Sequence, residues 1–209
     1  MSSRLLPLFP LNVVVFPRTR LPLHIFEDRY KEMVGDALRD ESEFGIVLAK
    51  DDGIVNAGCT VAVDKVLEMY PDGRLDVLTS GRRRFEIAGL NEEKPYLQGE
   101  VTFFDDEDFT PTAEQVRTEA LAQYEQLKAL PNTRDHLDPD LADPQLSFQL
   151  AQAIPDLDFL SGLLRQRSET ARLKTLTAFL ADYIPKQRTI ERMKGLAPTN
   201  GFGGKPAGL

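Results

Sequence analysis

Tryptophan is absent from this 209-residue chain, cysteine occurs once, at Cys59, and histidine twice, at His24 and His136. A single cysteine excludes an internal disulfide, and one Cys with two scattered His supplies no ligand set for a structural zinc. Cys59 therefore reads as a small buried apolar residue rather than a catalytic thiol. A positive balance is also missing: 25 Lys and Arg stand against 33 Asp and Glu, for a net charge of −8. Sequence-independent nucleic-acid binding needs clustered cations, so nucleic acid is not the expected partner. Nor is there a run approaching the ~18 apolar residues of a membrane span. Arg4 and the apolar residues after it suggest a leader peptide, but Pro7, Pro10 and Asn12 interrupt the run and no small-residue cleavage site follows. The chain is expected to be cytoplasmic, with no membrane partner.

Motifs of chemistry are missing as well. "GFGGKP" near the end fails as a phosphate loop, because Lys205 precedes Pro206 and Thr199 occupies the position of the first glycine. "TSG" at 79–81 lacks the first glycine of a nucleophile elbow. His24 and Glu27 have H-x-x-E spacing with no second histidine nearby. The expectation is no catalytic residue, no cofactor and no metal in this chain.

What is present is a chain with 42% hydrophobic and 28% charged residues, enough for a folded core. Up to about residue 108 the apolar period is that of strands. "FGIVLAK" (44–50) is a short β-branched run. "TVAVDKVLEM" (60–69) alternates and then slips phase near Val66, which predicts a bulge. "YPDGR" (70–74) predicts a hairpin turn, with Gly73 free to take positive φ. "RLDVLTSG", "RRFEIAG" and "YLQGEVTFF" continue the meander. One helix interrupts it: Phe26, Tyr30, Met33, Val34, Ala37 and Leu38 share a face, with Glu27 and Asp28 in the first turn.

"DDEDF" (105–109) reads as a solvated acidic hinge, and beyond it the period becomes helical. Thr110 before Pro111, or Thr112 with Gln115 as a capping box, would start the first helix. Asp143-Pro144 opens a second, a third runs from about 157 to 166, and Ser168 caps a fourth carrying Leu173, Leu176, Leu180 and Ile184. Pro185 is expected to end or kink it. Residues 165–194 carry eight Lys and Arg against three acids, a local +5 that leaves −13 on the rest. This reads first as a solvated face that also meets the acidic first half.

A family resemblance rests on particular stretches. "LPLFPLNVVVFPRTRLPLHIFEDRY" (6–30) resembles the opening of the N-terminal substrate-binding domain of Lon proteases. So do "FGIVL" (44–48), "AGCTVAV" (57–63), "PDGRLDVLTSGRRRFEI" (71–87), "YLQGEV" (96–101) and "LSGLLRQRSETARLKTL" (160–176). The resemblance covers about residues 4–184. It implies an α+β fold: a PUA-like β pseudo-barrel with one inserted helix over 1–108, a helical bundle over 109–195 and a flexible tail over 196–209. Pro10, Leu11, Phe16, Pro17, Pro22, Phe26, Glu27, Arg29, Tyr30, Gly45, Gly58, Asp72, Gly73, Gly81, Arg84 and Phe85 match family motifs. They are read as mainly structural: Phe16, Phe26, Tyr30 and Phe85 as core, and Glu27, Arg29 and Arg84 as a set bonding helix to sheet.

A Lon protease carries an ATPase and a Ser-Lys protease module besides this domain. The motifs of neither occur in this chain, which is read as a free-standing member. The resemblance thus implies recognition of polypeptide without proteolysis or ATP hydrolysis, through an apolar patch at the barrel–bundle junction or a sheet edge that accepts a strand. Arg82, Arg83, Arg165, Arg167 and Arg172 are the candidate partner contacts. The competing readings are RNA or nucleotide binding through "GRRRF" (81–85) or the basic 165–194 face, a small-molecule enzyme, and a purely structural partner domain.

Overall fold

Alternating apolar residues build longer strands than the glycines suggest. In the computed structural model, which describes residues 5–131 and 139–196, the strands are β1 (Leu6–Leu11), β2 (Arg20–Ile25), β3 (Phe44–Lys50), β4 (Gly53–Met69), β5 (Leu75–Asn91) and β6 (Gln98–Phe104). "RLDVLTSG" and "RRFEIAG" are one 17-residue strand, β5, and β4 is as long. That length lets β5 serve two partners: its first half pairs with β2 and its second half with β6, while β4 runs along both. β3 joins β4 to β1, and β1 meets β6, so β5–β4–β3–β1–β6 closes on itself and β2 extends one side. The register slips between Val63 and Lys65 and between Val66 and Glu68, where the alternation loses phase. At the hairpin, the Gly73 N–H donates to the Tyr70 carbonyl at φ 84°, and Asp72 accepts from the Arg74 N–H.

Prolines and glycines mark close approaches. Pro22 lies on β2, an edge strand, where a missing N–H is tolerated. Pro17 and Arg18 form a turn in which the Thr19 N–H and hydroxyl both donate to the Phe16 carbonyl. Gly81 passes under that turn, and a Cβ there would fall 2.0 Å from the Phe16 carbonyl oxygen. Inside the barrel, Leu6, Leu8, Val47 and Phe85 form a small core. A Cβ on Gly45 or Gly58 would lie 2.6 or 2.7 Å from the tip of the Phe85 ring, so the two glycines clear space for it.

The main core lies outside the barrel, between sheet and helices. Helix α1 (Asp28–Arg39) buries Tyr30, Met33, Val34 and Ala37. It starts two residues later than the periodicity suggests. Phe26 precedes it and is 60% exposed, so Phe26 is not core. After α1 the chain leaves through Glu41 at φ 46°, with the Ser42 N–H donating to the Ala37 carbonyl, a C-terminal cap that favours glycine. Glu41→Gly is therefore expected to stabilise the fold by about 0.5–1 kcal/mol in urea denaturation.

The helical half comprises α2 (Glu114–Lys128), α3 (Leu146–Ala151), α4 (Leu157–Arg165) and α5 (Glu169–Leu196). α2 has Ala113 at its N-cap and no side-chain cap, so neither Thr110 nor the Thr112–Gln115 box starts it. Thr112 instead bonds Thr170. Ser168 Oγ accepts from the Ala171 N–H at the start of α5. Pro185 lies within α5, which continues past it, although Ile184 is the last buried residue of the helix among those whose side chains are described. The boundary expected at 108/109 falls between β6 and α2, and the tail from Ala197 and His136 lie outside the described residues.

Candidate functional site

The junction between barrel and bundle is organised by two arginines that no solvent reaches, Arg84 on β5 and Arg172 on α5. Asp106 bridges them. Arg84 Nη2 donates to its Oδ1 at 2.7 Å, and Arg172 donates to both oxygens at 2.5 and 2.6 Å. Arg172 also reaches Glu169 at 2.9 Å and the Ser147 hydroxyl at 2.9 Å, while Ser147 donates twice to Glu169. The carbonyl of Gln166 accepts from both arginines, and that of Leu164 from Arg84. Phe148 covers both guanidinium groups, at 4.3 Å from Arg172 and 5.4 Å from Arg84, and Phe16 stacks on Phe148 at 4.8 Å. Burial works to raise the Asp106 carboxyl, but Arg172 and Arg84 outweigh it and hold the group below the ordinary carboxylate range. Glu169 is pushed above its range by burial, with the Ser147 bonds and Arg172 opposing.

This network corrects three expectations. Arg172 cannot face a partner, because its neighbours already engage the whole guanidinium. The acidic run at 105–109 is not merely a solvated hinge, since Asp106 carries the junction. Glu27, Arg29 and Arg84 do not form one set: Glu27 and Arg29 pair with each other on the surface, and Arg84 ties the barrel to the bundle rather than α1 to the sheet. Sequence reasoning missed Asp106, Ser147 and Glu169 because burial is the only sign of their role.

The other candidate contacts are dispersed. Arg82 pairs with Asp64, and Arg83 pairs with Glu43 while stacking 3.9 Å over Phe103. Arg165 and Arg167 each stand 3.9 Å from Glu86, and Arg167 also pairs with Glu107. The basic stretch is thus largely engaged by the acids of the first half at this end.

Two of the exposed surfaces among the described residues combine apolar and charged groups in a way that bears on function. The first is the end of the sheet formed by β2 and the β4–β5 hairpin. Phe26 stacks on His24 at 5.9 Å, Tyr70 meets His24 edge-on at 6.1 Å, and Asp76 bonds both His24 Nδ1 and the Tyr70 hydroxyl. The hydrogen bonds from His24 and Tyr70 hold the Asp76 carboxyl below its ordinary range. Leu67 and Met69, 51% and 69% exposed, end β4, which β5 separates from β2. The second is a groove of about 760 Å³ between the end of α1 and the start of β1, floored by Val101 and Phe103 of β6. Among the described residues no group of three or more His, Cys, Asp or Glu could hold a metal, and no helix is long and apolar enough to cross a membrane.

Comparison with known proteins agrees with this architecture. The model of the "ATP-dependent protease La (LON) substrate-binding domain" matches residues 5–184. The Lon protease of Anaeromyxobacter dehalogenans is 28% identical over 208 residues, covering 90% of this chain and 24% of that protein. The Lon protease of Parabacteroides distasonis is 34% identical over 110 residues, covering 48% of this chain and 13% of that protein. The chain therefore spans a quarter or less of these curated relatives. Among solved structures, a Lon N-terminal domain protein from Xanthomonas campestris superposes with a TM-score of 0.68 at 25% identity, covering 84% of this chain and 98% of that one. The N-terminal domain of the Mycobacterium avium complex Lon protease shares the fold at a TM-score of 0.61 and 16% identity, covering 86% and 100%. With a family match over almost all of the described residues, and a solved Lon N-terminal domain that superposes on 84% of its length, this chain belongs to the Lon substrate-binding domain family.

Proposed function

We propose that the chain is a non-catalytic recognition module that binds unfolded or exposed apolar polypeptide and presents it to a partner such as a protease. The observation that carries this reading is the exposed aromatic end of the sheet. Phe26, a residue of the opening family motif, leaves the core and stacks on His24, whose ring also meets Tyr70 edge-on. Exposed large apolar groups set close together mark interaction sites, and aromatic rings concentrate binding energy. Their acidic and basic neighbours, Asp76, Glu68 and Arg74, rim the rings rather than converge on a reaction centre.

The test is a titration of labelled, reduced and amidocarboxymethylated lysozyme, a permanently unfolded basic polypeptide, against native lysozyme as control. Wild-type protein is expected to bind the unfolded form only. Phe26→Ser should leave stability within about 0.5 kcal/mol, because the ring is mostly in water. It should weaken binding by about 2 kcal/mol, roughly thirtyfold. Equal affinity for native and unfolded lysozyme, or a Phe26→Ser variant that binds as wild type, would remove the basis of this reading.

A further inference from the structure

Among the described residues the barrel closes along only part of β6. β1 pairs with it through Leu6 opposite Gly99 and Pro7 opposite Gln98, and the Leu8 N–H donates to the Leu97 carbonyl at 2.8 Å. Alternate residues of a strand turn their main-chain groups to the same side. The N–H and C=O groups of Val101 and Phe103 therefore turn toward β1's side as well, away from β5. β1 begins at Leu6, so among the described residues Glu100–Phe104 have no strand on that side. Five residues make about 17 Å of open edge, and this edge faces the 760 Å³ groove.

We infer that this open edge takes up an extended segment of client polypeptide as an added strand, one with alternating apolar residues and a lysine or arginine. The inference rests on the polypeptide-binding reading above and gives the client a second place of contact, apart from the Phe26 end of the sheet. Main-chain groups in a ladder recognise any extended chain, which suits clients that share no sequence. Val101 and Phe103, two residues apart, meet alternate side chains of the guest, and Leu6 adds an apolar wall. The rim supplies the charge preference: Asp36, Asp40, Glu41 and Glu43 stand against Arg83 and Lys94. Lys94 and Arg39 hold Asp36, Arg39 also holds Asp40, and Arg83 holds Glu43. Glu41 has no ion-pair partner among the described residues, and a cationic side chain of the guest complements it.

The experiment uses the full 209-residue chain and the same unfolded lysozyme. Val101→Pro removes an N–H that faces the groove and spares the β5 ladder, a placement that edge strands tolerate. Loss of a ladder bond should weaken binding about tenfold; because Val101 also packs against the core within the barrel, the assay is run below the melting temperature measured for the variant. Glu41→Gln should flatten the salt dependence of binding. Hydrogen exchange on the wild type gives a readout that needs no variant: client should slow exchange in the segment 98–104. Wild-type affinity in Val101→Pro, or unchanged exchange over 98–104 with client bound, overturns the strand-addition site while leaving polypeptide recognition standing. Failure of wild-type protein to bind unfolded lysozyme at all removes both. Protection of 98–104 that exists without client and disappears on deleting residues 1–4 would assign the edge to the chain's own start and overturn the inference.

Discussion

Replacing Arg172 with alanine is expected to cost about 3–5 kcal/mol of stability, because it disrupts the pairing of a buried carboxylate, Glu169, and a part-buried one, Asp106, at once. Asp106 loses its two-pronged partner and Glu169 the one cation paired with it among the described residues, while Ser147 keeps its two bonds to Glu169 but no longer meets Arg172 Nε. Arg84 remains, yet it reaches Asp106 through a single bond and spends its other amino group on the carbonyls of Leu164 and Gln166. Urea denaturation measures the loss. The mechanism also has a pH signature. In the wild type Asp106 is held below its unfolded pKa, so its contribution is complete above about pH 4 and is lost as pH falls through the lower folded value. Removing Arg172 weakens that hold, so acid unfolding should begin at a higher pH. A double change of Arg172 to Met and Asp106 to Asn should cost less than the sum of the single changes, since members of one network do not act additively. Full additivity would show that the arginine acts by packing alone.

Phe85→Ala is expected to cost a further class of stability, about 3–5 kcal/mol, through a cavity rather than a charge. The Phe85 ring is wholly buried in the small core within the barrel, against Leu8 and Val47, and it fills the space that Gly45 and Gly58 leave empty. A core of four buried residues has little freedom to collapse around the hole. The glycines cannot be enlarged to refill it freely, because a Cβ on Gly58 would lie 2.3 Å from the Ile46 carbonyl oxygen, a backbone atom. Arg82→Ala, two strand positions from Arg84 on a half-exposed surface pair with Asp64, should by contrast stay within about 0.5 kcal/mol. Positions 82 and 85 thus separate surface charge from cavity within one strand, and Arg172 on α5 supplies the buried charge. Equal losses at positions 82 and 85 would contradict this account of the barrel.

These contrasts show which parts were legible in the chain. The proline-punctuated opening, the phase slip near Val66 and the "YPDGR" turn are local features, and each appears where its local chemistry puts it. The bulges accompany the slip, and Gly73 takes the positive φ of the hairpin. Capping by Ser168 was legible for the same reason: its hydroxyl acts three residues away. Phe26 was misread because helical spacing extends back from Tyr30, whereas the helix begins at Asp28 and the ring turns outward. Arg172 was misread because a buried arginine and a solvated one have the same letter, and only a partner 66 positions earlier distinguishes them.

The chain's own order of residues determined the two-part periodicity, the family, the hairpin turn and the Ser168 cap, because these depend on groups a few positions apart. Only the tertiary structure decided that β5 would be shared by β2 and β6, that Asp106 would lie between two arginines, and that Val101 and Phe103 of β6 would line a groove beside the end of α1. Those outcomes depend on closure of a sheet, where a strand pairs with residues many positions away and one residue of register determines which groups meet water. Burial then sets the energetic weight of each charge, and burial is a property of the assembled fold.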